Sequence, residues 1–219
     1  DLGHLGHLEN LSYVRAFVLT SLVSVLDGFQ EEEVVEMGIF ALRVMADEHD
    51  IDVMEAGVVP FVLEMMDKWK THAPVVEQGL GFLRNLTCEE DHLASLCTNH
   101  HIIELTVGLL KRFVPEPGVQ EEGLAVLRNV SIHDVYTESL INHGALPVCI
   151  QSISTHKNNP AVLVQAMVFV RNMAADSNEA RRLLVEKLGA VSWISQAFSS
   201  QAKNALVVEA AMYALGNLC

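Results

Sequence analysis

Aromatic residues are scarce at 6% of this 219-residue chain, prolines number 6, and only 14 basic side chains stand against 28 acidic ones. The net charge of −14 disfavours direct binding to nucleic acid or to an anionic bilayer, both of which present like charge, and suits a basic partner. The four cysteines, Cys88, Cys97, Cys149 and Cys219, show neither finger spacing nor a CxxC pair. That disfavours a dense disulfide framework and a cysteine metal site, and reads as reduced, partly buried thiols of a cytosolic or nuclear protein, with the cytoplasm as the expected location. The most apolar run, Phe17 to Leu26, is broken by Thr20, Ser21 and Ser24 and is too short to cross a bilayer. A signal peptide, a lipidation motif and an initiating methionine are all missing, so the chain reads as a fragment whose membrane anchor, if it has one, lies outside it. There is no phosphate-binding glycine loop, no nucleophile elbow and no HExxH, so neither an enzyme nor a cofactor is expected.

What is present is repetition. The stretch Val119 to Val130 reads VQEEGLAVLRNV, and altered copies stand at Val34 to Met45, Val75 to Leu86, Val162 to Met173 and Val207 to Leu218. Arg43, Arg84, Arg128, Arg171 and Gly216 are equivalent, spaced 41, 44, 43 and 45 residues apart. A period in this range marks stacked helical repeats, each burying its apolar side against its neighbours. The whole chain, 1–219, reads as one array. A partial repeat at 11–30 precedes repeats at about 31–70, 71–114, 115–157 and 158–202, and a partial one at 203–219 follows. Each full repeat is a long helix, a short helix, a turn and a medium helix. The turns fall at Gly57, Gly144 and Gly189, with His101 in the same slot of the second repeat. An apolar residue 18 before each Arg position, Val25, Met66, Leu110, Ile153 and Phe198, supports the phase. Residues 1–10 read as a frayed lead-in, because Gly3 and Gly6 weaken a helix there. His4 with His7 and His100 with His101 read as incidental rather than as metal ligands. The sequons at Asn10, Asn85 and Asn129 read as coincidental, the last two arising from the repeat itself.

The turns Glu55-Ala56-Gly57-Val58-Val59-Pro60 and Asn142-His143-Gly144-Ala145-Leu146-Pro147, together with the LRNL-type long helix, resemble armadillo repeats over nearly the whole chain from about Leu11. The resemblance implies an all-α fold, a right-handed α-solenoid superhelix of armadillo repeats. Its long helices would line a concave groove holding an extended or helical segment of a partner protein.

At 100° per residue, Glu77, Gly81, Arg84 and Asn85 share one face of their helix, and Leu80, Leu83 and Leu86 the other. Glu121, Ala125, Arg128 and Asn129 repeat the polar face, opposite Leu124, Leu127 and Val130. Asn85, Asn129, Asn172 and Asn217 form an expected ladder that the first repeat breaks with Val44. By the resemblance, such an Asn hydrogen-bonds the main chain of a bound peptide, and a carboxamide has the donor and acceptor to do so. The competing reading, that these side chains tie neighbouring repeats together, is given less weight. Nuclear-import receptors of the family carry Trp four residues before the Asn, whereas this chain has Gly81, Ala125, Val168 and Tyr213. That argues against binding a nuclear-localisation signal, and the small residues should leave space above the helix. Arg43, Arg84, Arg128 and Arg171 make a second ladder, and Glu36, Glu77, Glu121 and Glu209 a third that Val164 interrupts. They either pair across repeats, at no more than about 1 kcal/mol per exposed pair, or meet charged groups of a partner. The alternative function is a membrane-anchored adaptor or self-assembling structural protein that works through its outer faces or ends.

Overall fold

The computed structural model describes the backbone of residues 2–219 and the side chains of residues 12–219 other than Asp176. The His4 and His7 side chains and the Asn10 end of its sequon lie outside the described residues. The chain divides into two compact units, residues 1–92 and 93–219.

Unit one holds α1 (Leu2–Leu26), α2 (Glu32–Glu48), α3 (Asp50–Glu55), α4 (Val58–Lys68) and α5 (Ala73–Leu86), and the division falls within α6 (Glu90–Asn99). Helix α1 already includes the residues expected to be a frayed lead-in. Leu2, Leu5, Leu8 and Leu11 recur at helical spacing, and prolonging a nucleated helix through Gly3 and Gly6 costs only about 1 kcal/mol for each glycine. Unit two continues with α7 (Ile102–Arg112), α8 (Pro117–Val130), α9 (Thr137–His143), α10 (Ala145–Thr155), α11 (Pro160–Asp176), α12 (Asn178–Arg182), α13 (Ala190–Ser200) and α14 (Ala205–Leu218). Two short helices differ from expectation. A 3-10 turn, Asp134–Tyr136, precedes α9, and α12 passes into a π-helical turn at Leu183–Lys187, where the repeat pattern gives one plain short helix each. There the Leu188 N–H reaches five residues back to the Leu183 carbonyl, at 3.0 Å.

Local chemistry sets the boundaries. Pro74, Pro117 and Pro160 sit in the first turns of α5, α8 and α11, where a missing N–H costs nothing. Asn159 Oδ1 accepts from the Ala161 and Val162 N–H groups, and Asn204 Oδ1 from those of Leu206 and Val207, capping α11 and α14. The entries to α4, α10 and α13 turn through left-handed glycines, Gly57 at φ 68°, Gly144 at 84° and Gly189 at 60°. His101 takes the same conformation at φ 50° before α7, so the repeat imposes a turn there even on a residue with a Cβ.

The long helices pack on one another within each unit, α2 on α5 in the first, and α8 on α11 and α11 on α14 in the second. The apolar column four residues before the Arg position is buried in each unit: Ile39 and Leu80 in the first and Leu124 and Met167 in the second are all 0% exposed. Helices α4 and α7 each press a side chain onto a glycine of the following long helix. A Cβ on Gly79 would lie 2.4 Å from Met66 Sδ, and one on Gly123 2.7 Å from Leu110 Cδ2. In α1 the residue that fills this role is Leu26, against Gly38, and not Val25 as the 18-residue spacing implied. Val25 is 58% exposed and Leu26 4%. The cause is a connection one residue shorter from Leu26 to Gly38 than from Met66 to Gly79.

Candidate partner-binding face

In unit one, α2 and α5 bring their polar faces side by side. Asn85 Nδ2 donates to the Arg43 carbonyl of the preceding long helix at 3.0 Å. Its Oδ1 accepts a fork from Arg84, 3.2 Å from Nε and 3.0 Å from Nη2. Arg43 Nη1 in turn donates to Gln78 Oε1 at 3.1 Å. The space expected above Gly81 is filled: a Cβ there would fall 2.5 Å from the Arg43 Cζ. Glu77 is half-buried on the same face.

Unit two repeats the pattern on α8, α11 and α14. Arg128 forks onto Asn129 Oδ1 from Nε at 3.2 Å and Nη2 at 2.9 Å, and its Nη1 donates to Gln165 Oε1 at 2.6 Å. Arg171 forks onto Asn172 Oδ1 at 3.2 and 3.0 Å. Asn172 Nδ2 reaches the Arg128 carbonyl at 3.4 Å and Ser131 Oγ at 3.1 Å. Asn217 Nδ2 donates to the Arg171 carbonyl at 2.9 Å. Asn129 is only 4% exposed, Glu121 is half-buried, and Tyr213 stands out at 57%.

All the expected residues thus lie on the polar side of their long helices, but the asparagines are engaged. A carboxamide oxygen has two lone pairs, and in Asn85 and Asn172 the arginine fork takes both. Nδ2 spends a hydrogen on the preceding repeat. The tie between repeats, the less favoured reading of the sequence, is what the geometry carries. Asn85 and Asn217 each keep one N–H to offer a ligand.

Gln78 and Gln165 had no expected role. Their column, six before the Arg position, reads Met37, Gln78, Glu122, Gln165 and Ala210, and its polar middle was the available signal. The last member matters: with Ala210 in the slot, Arg171 Nη1 has no partner among the described residues.

Away from this face, Asp52 of α3 accepts hydrogen bonds from Ser12 and Arg15 of α1. Burial opposes its ionisation, but those two bonds and the Arg15 charge prevail and hold the carboxyl below its ordinary range. Burial pushes the Cys97 thiol up to about 11, against a hydrogen bond with Tyr136. Among the described residues no group of three or more His, Cys, Asp or Glu side chains could hold a metal.

A family profile described as LRRK2 ARM repeat matches residues 11–219. The chain belongs to this armadillo-repeat family. It is similar to Protein aardvark of Dictyostelium discoideum, with 31% identity over 97 residues. That match covers 41% of this chain and 13% of the relative's length. Its fold is similar to crystal structures of engineered proteins from the Northeast Structural Genomics Consortium. One superposes with a TM-score of 0.76 at 21% identity, covering 95% of this chain and 89% of the other. A second gives 0.73 at 20% identity, covering 95% and 87%. The fold class is therefore an armadillo α-solenoid, an architecture typical of protein-interaction scaffolds.

Proposed function

We propose that this armadillo protein is a non-enzymatic scaffold that holds an extended or helical segment of a partner protein along the polar faces of its long helices. Glu77, Arg84 and Asn85 would serve in unit one, and Glu121, Arg128, Asn129, Arg171, Asn172, Tyr213 and Asn217 in unit two. The observation that carries the reading is the recurring Arg–Asn fork. Asn85, Asn129 and Asn172 each hold a guanidinium in this fork, and Asn85 and Asn172 are themselves tied to the preceding long helix, so that each unit presents preorganised donors on its polar face. The asparagines act mainly by positioning those arginines. Four thiols, none of them in a disulfide, support a reducing compartment, the cytoplasm.

Dodecamer peptides selected from a random display library on the full chain provide the test. Glu209→Lys with Tyr213→Ser, both exposed positions, should weaken the selected peptides at least about tenfold, whereas Glu104→Lys on the exposed side of α7 should not. Equal affinity for the two variants, measured by calorimetry, sinks the reading.

No helix of the described residues is long and apolar enough to cross a membrane.

A further inference from the structure

A guanidinium has five N–H groups, arranged as two forks. Arg171 spends its side-on fork, Nε and Nη2, on Asn172 Oδ1 at 3.2 and 3.0 Å. In Arg43 and Arg128, which are anchored at the same repeat position, Nη1 is closed off by Gln78 and Gln165 of the next long helix. At Arg171 the register partner is Ala210, whose methyl group can accept nothing, and the end-on fork of Nη1 and Nη2 has no partner among the described residues. Glu209, exposed beside Ala210 on α14, makes no ion pair with it.

We propose that this open arginine is a carboxylate-binding subsite, in which an aspartate or glutamate of the bound segment takes the end-on fork in two parallel N–H···O bonds. The proposal rests on the scaffold reading above and specifies the partner's chemistry at one position. A planar carboxylate matches the fork in shape as well as charge, and such bidentate pairs are among the stronger polar contacts. Because Asn172 already fixes the guanidinium, the ligand loses little free energy in ordering it. Tyr213, three residues after Ala210 and 57% exposed, adds an aromatic ring on the same stretch of α14 for the stem of the acidic residue. A phosphate dianion is less well served. It would need a second cation, and the nearest charge on α14 is that of Glu209. The net charge of −14 still attracts a segment that is basic overall, so the fitting partner carries one acidic residue among neutral or basic ones.

The experiment uses the full chain and the display-selected dodecamers, fluorescein-labelled and read by anisotropy. An acidic residue should recur at one register of the selected peptides. Changing it to the amide should weaken binding to the wild type about tenfold, and binding to Ala210→Gln no more than about twofold, since the new glutamine closes the fork as Gln78 and Gln165 do. Arg171→Lys, which keeps the charge and loses the fork, should weaken the acidic peptide about tenfold and its amide no more than about twofold, with the folded far-ultraviolet circular-dichroism spectrum unchanged. Peptides that depend on the Glu209/Tyr213 face but are indifferent to their acidic residue overturn the subsite and leave the scaffold reading standing. Peptides indifferent to that face overturn both. A phosphoserine at the register that binds about tenfold better than glutamate also overturns the carboxylate assignment.

Discussion

Replacing Gln120 with Leu should destabilise unit two by about 1–3 kcal/mol, although it restores the apolar residue found at this repeat position in Val35, Val76, Leu163 and Val208. Gln120 is 1% exposed. Its Nε2 donates to the Leu110 carbonyl at 3.0 Å and the Phe113 carbonyl at 2.9 Å, closing the C-terminal turn of α7, and its Oε1 accepts from Ser152 Oγ of α10. After the change, the Phe113 carbonyl keeps its bond from the Glu116 N–H, and Ser152 can turn to the Val148 carbonyl. The Leu110 carbonyl loses the one side-chain donor that reaches it. A buried orphan acceptor costs about 1–3 kcal/mol, and the other two bonds about 1 kcal/mol each. Burial of a leucine of similar volume offsets about 2 kcal/mol of that sum. The assay is urea unfolding followed by far-ultraviolet circular dichroism, completed as a cycle with Ser152→Ala. Ser152→Ala should cost about 1 kcal/mol in the wild type and under about 0.5 kcal/mol beside Gln120→Leu. A leucine variant as stable as the wild type, or a cycle without coupling, would refute the role given to this glutamine.

Asn172→Ala should lower stability by about 1–3 kcal/mol, because it removes two bonds to the preceding repeat and releases Arg171; Asn217→Ala, with one such bond, should cost less. Equal and negligible shifts in urea midpoint for both would return the ladder to a purely ligand-binding role. Asp52 supplies a pH dependence whose sign follows from its depressed folded pKa. Its stabilising contribution is complete above the unfolded value of about 3.9 and is lost as pH falls through the lower folded value. Thermal melts of the wild type should therefore fall more steeply than those of Asp52→Asn below about pH 4, and parallel curves would show that the Ser12 and Arg15 bonds do not matter.

The period and its phase carried most of the fold, since a column of apolar residues such as Ile39, Leu80, Leu124 and Met167 can be satisfied only by stacking. What escaped lies where spacing is not the controlling variable. Leu26 replaced Val25 because one connection is shorter, and no periodic template reports a loop length. The π-helical turn at Leu183–Lys187 has no sequence mark that we can identify. On the candidate face, helix geometry grouped Glu77, Arg84 and Asn85 correctly, but residue types alone could not say whether a carboxamide bonds outward or to its neighbours. That choice depends on side-chain reach across two helices, as in the 3.0 Å bond from Asn85 to the Arg43 carbonyl. The filling of the space above Gly81 by Arg43 escaped for the same reason.

Departures from a repeat become informative once each has been asked what fills it. His101 departs from glycine at the turns, and the backbone answers by holding it at φ 50°. Gln120 departs from an apolar column, and two carbonyls and a hydroxyl answer from within the fold. Both are satisfied internally, so neither calls for a ligand. Ala210 departs in the opposite direction, from an amide to a methyl, and leaves donors that nothing in the described fold accepts. The loss falls at a half-buried guanidinium already fixed by Asn172, where a carboxylate gains two charge-assisted bonds and orders little that is not ordered beforehand. A deviation that removes an internal partner, on a face that otherwise keeps its period, points outward in a way that the conforming residues cannot.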